Sequence, residues 1–203
     1  MLSLAKMVPT AISSLMGTVV GVFNPQITIA YAEDNTENLV KIIKSCNRIL
    51  IFIMSIPIAF LTAYGRDFYA MWQPTKDADM LQRLSLLAVG VLYVSMSIQV
   101  LYHVFIITKK VKWNSLVILG SGVLSSCLSL LLLKTTDLGV MVFPLSSMLT
   151  GLLRNLIFTP IYAARCLKIR WNRFYGDILL GWISIGSIVI LGNLSRMVFP
   201  VDS

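Results

Sequence analysis

One guanidinium stands alone inside an apolar run. Arg154, with Asn155 beside it, interrupts the segment 138–164 about ten residues before the next basic cluster. A planar fork of N–H donors suits a phosphate or another oxyanion, so the pair reads as an anion-holding group in a water-lined cavity. On insertion scales an Arg at mid-span costs about 2.5–3.5 kcal/mol, while each Leu, Ile, Phe or Val returns about 0.3–0.6. Around ten such residues share the run, so insertion tolerates the charge without accounting for it. The structural alternative is an Arg that snorkels to the headgroups, which here is a long reach. His103, the chain's one histidine, lies six residues before Lys109, about 9 Å of helix rise from the membrane edge. Imidazole titrates near neutrality and could relay a proton. Gln99, one helical turn earlier on the same face, is its expected partner. The plainer reading makes His103 a hydrogen-bonded helix-contact residue. Asn24 and Gln26 flank Pro25 and have amides fit for ligand hydroxyls or for hydrogen bonds between helices.

Other chemistries find little to build on. Cys46, Cys127 and Cys166 form no C-x-x-C pair and have no set of histidines beside them, so neither a metal centre nor a disulfide framework is expected, nor any cofactor. There is no paired-carboxylate site, no G-x-S-x-G and no phosphate-cradling loop. Asp77 and Asp79 form an Asp-x-Asp as in metal-using glycosyltransferases, but they sit in a short loop between spans. The uncharged cores of the runs hold no Asp or Glu for ion coupling, Asp67 falling in the aromatic exit of the second, and an enzyme is not expected.

These residues need elements to hold them, and the composition says which. Hydrophobic residues make up 57% of the chain and charged residues 13%, with a mean hydropathy of +0.81. A soluble domain carries about 25% charged residues. The charges cluster between apolar runs, each near the roughly 20 residues that cross about 30 Å of hydrocarbon. Sustained alternation is missing, so helices rather than barrel strands follow. The expectation is an all-α membrane protein forming a single membrane domain over 1–203, with six spans at about 7–32, 49–72, 84–108, 113–133, 138–164 and 178–198.

The connections carry their own signals. An amphipathic stretch over about 34–48 opens with Asp34 as helix cap and Glu37 three residues on. It reads either as an interfacial helix or as the first wet turns of the second span. Gly17 and Gly21 form a Gly-x-x-x-Gly pair, and the fourth span is rich in Gly and Ser, both suited to close helix contact. Pro9 and Pro25 each free a backbone carbonyl that must find another donor. Tyr64, Phe68, Tyr69 and Trp72 read as an interface belt. Arg165, Lys168, Arg170 and Arg173, with Trp171, Phe174 and Tyr175 among them, suit anionic lipid headgroups better than nucleic acid. Ten Lys and Arg lie on the side of the loops after spans one, three and five, against six on the other side. The positive-inside rule places the ten in the cytoplasm and both termini outside.

Asn24-Pro25-Gln26, then Tyr31-Ala32-Glu33-Asp34 and Leu39, resembles the corresponding pattern of bacterial polysaccharide flippases. These belong to a superfamily shared with multidrug exporters and lipid II flippases. The likeness continues through Ile56-Pro57, Phe68 to Trp72, the Lys109-Lys110-Val111-Lys112 turn and Asp137-Leu138-Gly139-Val140. It implies the C-terminal lobe of a transporter of twelve to fourteen spans, from about the eighth span onward, in a bacterial cytoplasmic membrane. It also implies a lipid-linked sugar as cargo, moved by alternating access, with a missing first lobe or polysaccharide-assembly proteins as partners. Arg154, Asn155, Gln99, His103, Asn24 and Gln26 are then the cavity candidates. A cation-coupled drug exporter of the same superfamily and a truncated remnant without transport are the alternatives.

Overall fold

The computed structural model describes residues 2–198, and the described residues are helical with no strand. Six helical spans run up and down, each long and apolar enough to cross a membrane. The helices are α1 (Leu2–Ala32), α2 (Thr36–Trp72), α3 (Ala78–Gly90), α4 (Leu92–Ser95), α5 (Leu101–Ile107), α6 (Val111–Thr135), α7 (Val142–Leu153), α8 (Thr159–Cys166) and α9 (Tyr175–Val198). The third span is made of α3, α4 and α5, and the fifth of α7 and α8 joined by a π-helical turn, Arg154–Phe158. Turns 33–35, 108–110 and 167–170 gather at one end of the bundle, where the Tyr162 hydroxyl donates to the Lys110 carbonyl at 2.9 Å. We call this the basic end.

The core is the third span wrapped by α1, α2, α8 and α9. Val94, Met96, Ile98, Val100, Leu101, Val104 and Phe105 are all fully buried. α1 divides into three sectors at about 100° per residue. Ala5, Pro9, Ile12, Met16, Val20, Ile27 and Ala30 face the core. Met7, Leu15, Val22 and Ile29 form an exposed apolar sector. Lys6, Thr10, Ser13, Gly17, Gly21, Asn24 and Thr28 line the third sector, spaced by three and four residues along the full span.

Several boundaries move. The stretch 34–48 is neither a loop nor a separate helix: α2 starts at Thr36 and runs 37 residues without a break. Its Leu39, Val40 and Ile43 are buried in the lobe, so it forms the first turns of the second span. The cap is Asn35, whose side chain accepts from the Asn38 N–H at 2.9 Å. Asp34, expected there, is taken by the end of α1 in a left-handed conformation, φ 53°. α3 begins six residues before the expected start of the third span because Asp77 caps it, accepting from the Met80 N–H at 3.1 Å. Asp79 pairs with Arg66 at 3.0 Å, so the Asp-x-Asp is a cap and an ion pair. α9 starts at Tyr175, three residues early, which brings Asp177 into a buried first turn. Asp177 therefore lies inside a spanning helix, as Asp67 does in α2, whereas a span starting at 178 leaves it outside.

Small residues act elsewhere than expected. An added Cβ at Gly17, Gly21, Gly120 or Gly122 would meet nothing within 4 Å. The fourth span, α6, touches the lobe along one edge, through Ser125 to Ser147 and Ser129 to Ser146. The close approaches lie at Gly90 against Met148, Gly151 against Val91, and Gly181 against Ser97. At Pro9 and Pro160 the missing N–H is answered by a tyrosine. The Ala5 carbonyl, four residues before Pro9, receives the Tyr69 hydroxyl at 3.5 Å. The Leu156 carbonyl, four before Pro160, receives that of Tyr175 at 2.8 Å. Tyr69 is fully buried and so is not part of an interface belt, whereas Trp72 is exposed.

Candidate functional site

The candidate residues fall on two faces of one irregular segment. Between α4 and α5, over residues 96–100, the third span leaves α geometry. Ser97 N–H donates to Val94 at 3.0 Å, Ile98 to Ser95 at 3.1 Å and Leu101 to Ile98 at 2.9 Å, all three-residue steps. Such 3₁₀ stretches within a helix mark hinges or strain. Directly across from it, the fifth span carries its π turn, with the Thr159 N–H reaching back five residues to the Arg154 carbonyl. π turns inside α-helices are frequent at functional positions, since the extra residue turns side chains out of phase with the helix.

Asn155 is the hub between these two irregular stretches and is 1% exposed. Its Oδ1 accepts from the Tyr102 hydroxyl at 2.9 Å and from Arg154 Nε at 3.3 Å, and its Nδ2 donates to Ser95 Oγ at 2.8 Å. Arg154 is thus steered by its neighbour. Among the described residues no carboxylate comes within salt-bridge distance of it. The guanidinium, half-buried and held at one nitrogen, keeps its remaining N–H donors for another acceptor.

On the other side of α5, His103 meets α1. Its Nε2 lies 3.2 Å from Thr28 Oγ1, and Thr28 in turn donates to the Asn24 carbonyl at 2.8 Å. With the hydroxyl proton spent, the bond requires a hydrogen on His103 Nε2. The expected Gln99–His103 pair does not form. In a 3₁₀ stretch residues three apart are aligned, so the four-residue step rotates Gln99 away from His103. Asn24 is half-buried, with an Oδ1 that is buried and has no hydrogen-bond partner. Gln26 is exposed and lies outside the polar sector of α1.

The polar sector of α1 opens onto two adjoining cavities at the end opposite the basic one. The first, about 340 Å³ between α1, α3 and α7, includes Lys6, Thr10, Ser13 and Ser147. The second, about 500 Å³ between α1, α6 and α7, shares Lys6 and Ser147 and adds Ser125, Ser126 and Ser129. One cation and a set of hydroxyls make a surface able to hydrogen-bond a polyhydroxylated or anionic ligand.

Sequence reasoning missed Ser95, Thr28, Lys6 and the serines of α6 and α7. Tyr102 was visible beside His103, but nothing local marked its partner. Thr28 was the accessible signal, since it continues the spacing Asn24, Gly21, Gly17 along α1.

No protein-family model matches the chain, and no solved structure matches it. It is similar to the uncharacterized membrane protein EpsK of Bacillus subtilis strain 168, at 27% identity over 157 residues. That alignment takes in 77% of this chain and 31% of the relative, so the chain spans about a third of the relative's length. With six helices long and apolar enough to cross a bilayer and a membrane protein among its relatives, the chain is a multi-pass membrane protein.

Proposed function

We propose that this chain is one lobe of a transporter that carries a lipid-linked oligosaccharide across the bacterial cytoplasmic membrane by alternating access. The observation that carries the reading is the polar sector of α1, which runs from Lys6 to Thr28 across the depth of a bilayer. Thr28 is bonded within the protein, but the Lys6 ammonium facing acyl chains would go unsatisfied, as would the Asn24 amide oxygen. Facing a water-filled path they are solvated, and they match the hydroxyls of sugar rings. Gly17 and Gly21, with open space where a side chain would stand, widen that path at mid-span. Arg154 supplies the donors for a pyrophosphate linkage.

The reading places the basic end in the cytoplasm, where Lys168, Arg170 and Arg173 meet anionic lipid headgroups. Its remaining partners are a further lobe on a longer protein and polysaccharide-assembly proteins. The reading is that of a carrier and not an enzyme. One observation favours the second reading, a cation-coupled exporter of drugs: Asp177 is a buried acid in a spanning helix.

Complementation separates the two readings. A strain lacking its polysaccharide flippase receives this chain alone, or this chain joined behind a first lobe. Restored surface polysaccharide in the joined form supports the proposal, with Arg154→Ala abolishing it while membrane insertion stays intact. Drug export without restored polysaccharide refutes it in favour of the exporter.

A further inference from the structure

A second polar site lies away from the cavity face, in the contact between α2 and α9. Asp177, 6% exposed, lies in the first turn of α9, between buried Phe174 and Ile178 in the chain. Asn47, 0% exposed, donates from Nδ2 to Asp177 Oδ2 at 3.1 Å. The other half of that amide, Asn47 Oδ1, is buried and has no hydrogen-bond partner. A carboxylate cannot serve it, because both of its oxygens are acceptors. A carboxylic acid can. Acid and primary amide are complementary two-point partners, with one O–H···O and one N–H···O bond, and the second of these is already in place.

We propose that Asp177 and Asn47 form a proton-binding site at the basic end of the lobe, in which Asp177 takes one proton and gives Asn47 Oδ1 its missing donor. The step moves one proton from hydronium in the solvent to the Asp177 carboxylate: a hydronium O–H bond breaks, leaving neutral water, and an O–H bond forms whose hydrogen points at the amide oxygen. Exchanging the amide's O and N gives the same result, since oxygen would then face oxygen and only a shared proton relieves that contact. The charged groups that act on Asp177 are Lys44 and Arg48 of α2. Neither comes within salt-bridge distance of it. Arg173, before α9, acts on Glu37. Tyr175, on α9 itself, gives its hydroxyl to the Leu156 carbonyl. The 92–100 segment that packs on α9 is uncharged, and its fully buried Ser97 stands against Gly181, one turn beyond Asp177. The acid, and not the carboxylate, completes the pair with Asn47 Oδ1, so occupancy follows proton concentration. The site concerns a contact inside the lobe and requires no particular cargo, although its acid is the one that favours the exporter reading.

The test is infrared difference spectroscopy on the full chain in liposomes, with ¹³C-labelled aspartate and a pH titration. The expected result is a protonated-carboxyl band that grows as pH falls and is lost in Asp177→Asn. Asn47→Leu should move that band to higher frequency, as removal of its hydrogen bonds requires. Asp177→Asn keeps two-point pairing as an amide–amide contact, so it should fold, and its unfolding midpoint should lose the pH dependence of the wild type. A carboxylate that stays ionised across the titration overturns the proposal. So does a stability that responds to sodium in the wild type, but not in Asp177→Asn, with no carboxyl band. That second result would make the site one for a metal cation.

Discussion

Replacing Asn155 with Leu tests the hub directly. The change keeps the number of side-chain heavy atoms and removes every polar contact made by that side chain. Two of those contacts cross between spans, from Tyr102 at 2.9 Å and to Ser95 at 2.8 Å. Interhelical hydrogen bonds in a bilayer average about 0.6 kcal/mol and reach about 1.7. Losing both, with Ser95 and Tyr102 left short of a partner in a buried place, should cost about 1–3 kcal/mol. The assay is reversible unfolding of the reconstituted chain in bicelles. A double-mutant cycle isolates the pair: Tyr102→Phe should cost about 0.6 kcal/mol less in the Asn155→Leu background, because its acceptor is already gone. A cost below about 0.5 kcal/mol, or additivity within about 0.3 kcal/mol, would show that the geometry carries no energy and that Asn155 does not organise Arg154.

Three further outcomes follow from the same packing. Gly151→Ala places a Cβ 3.0 Å from Val91 Cγ2; the β-branched valine has little freedom to yield, so unfolding should become easier by about 1–3 kcal/mol, whereas Gly17→Ala should leave lobe stability unchanged in the same assay. Tyr175→Phe strips the donor from the Leu156 carbonyl and should cost about 1 kcal/mol, and less when Pro160→Ala restores a backbone N–H, measured as a double-mutant cycle. Single cysteines at Ser13, Gly17 and Gly21 in a background lacking the native cysteines should react with a membrane-impermeant maleimide, while those at Leu15 and Val22 should not; equal labelling of both sets would remove the water path.

What could be read from the sequence follows from the range of the forces involved. Hydrophobic runs announce spans because each span answers to the bilayer on its own, and all six appear. Their ends were misplaced where a polar side chain starts a helix outside the apolar run, as Asp77 does for α3, or where aromatic residues lead into one, as Phe174 and Tyr175 do for α9. Arg154 and Asn155 drew attention because a charge and an amide in an apolar run are locally conspicuous. Their partners did not, because Ser95 and Tyr102 lie 60 and 53 residues away from Asn155 in sequence. That register depends on how two irregular helices cross. Gln99 shows the limit most clearly: the four-residue rule that paired it with His103 holds only while the backbone stays α-helical.

That failure also points to where the lobe can change shape. The two departures from α geometry, the 3₁₀ stretch before α5 and the π turn before α8, face each other and are tied by the bonds at Asn155. Returning the first stretch to α-helix would rotate the side chains beyond it, and so carry Tyr102 away from the Asn155 that Ser95 holds on the near side. On the far side of α5, the same rotation would draw His103 away from Thr28 on the polar face of α1. A change of backbone geometry at one level of the third span would therefore move Arg154 and the α1 surface at once. A regular pair of helices could not link them in that way. The labelling pattern along α1 should accordingly change in Asn155→Leu, with Thr28→Cys gaining reactivity as His103 is released. Unaltered labelling would separate the hub from the cavity.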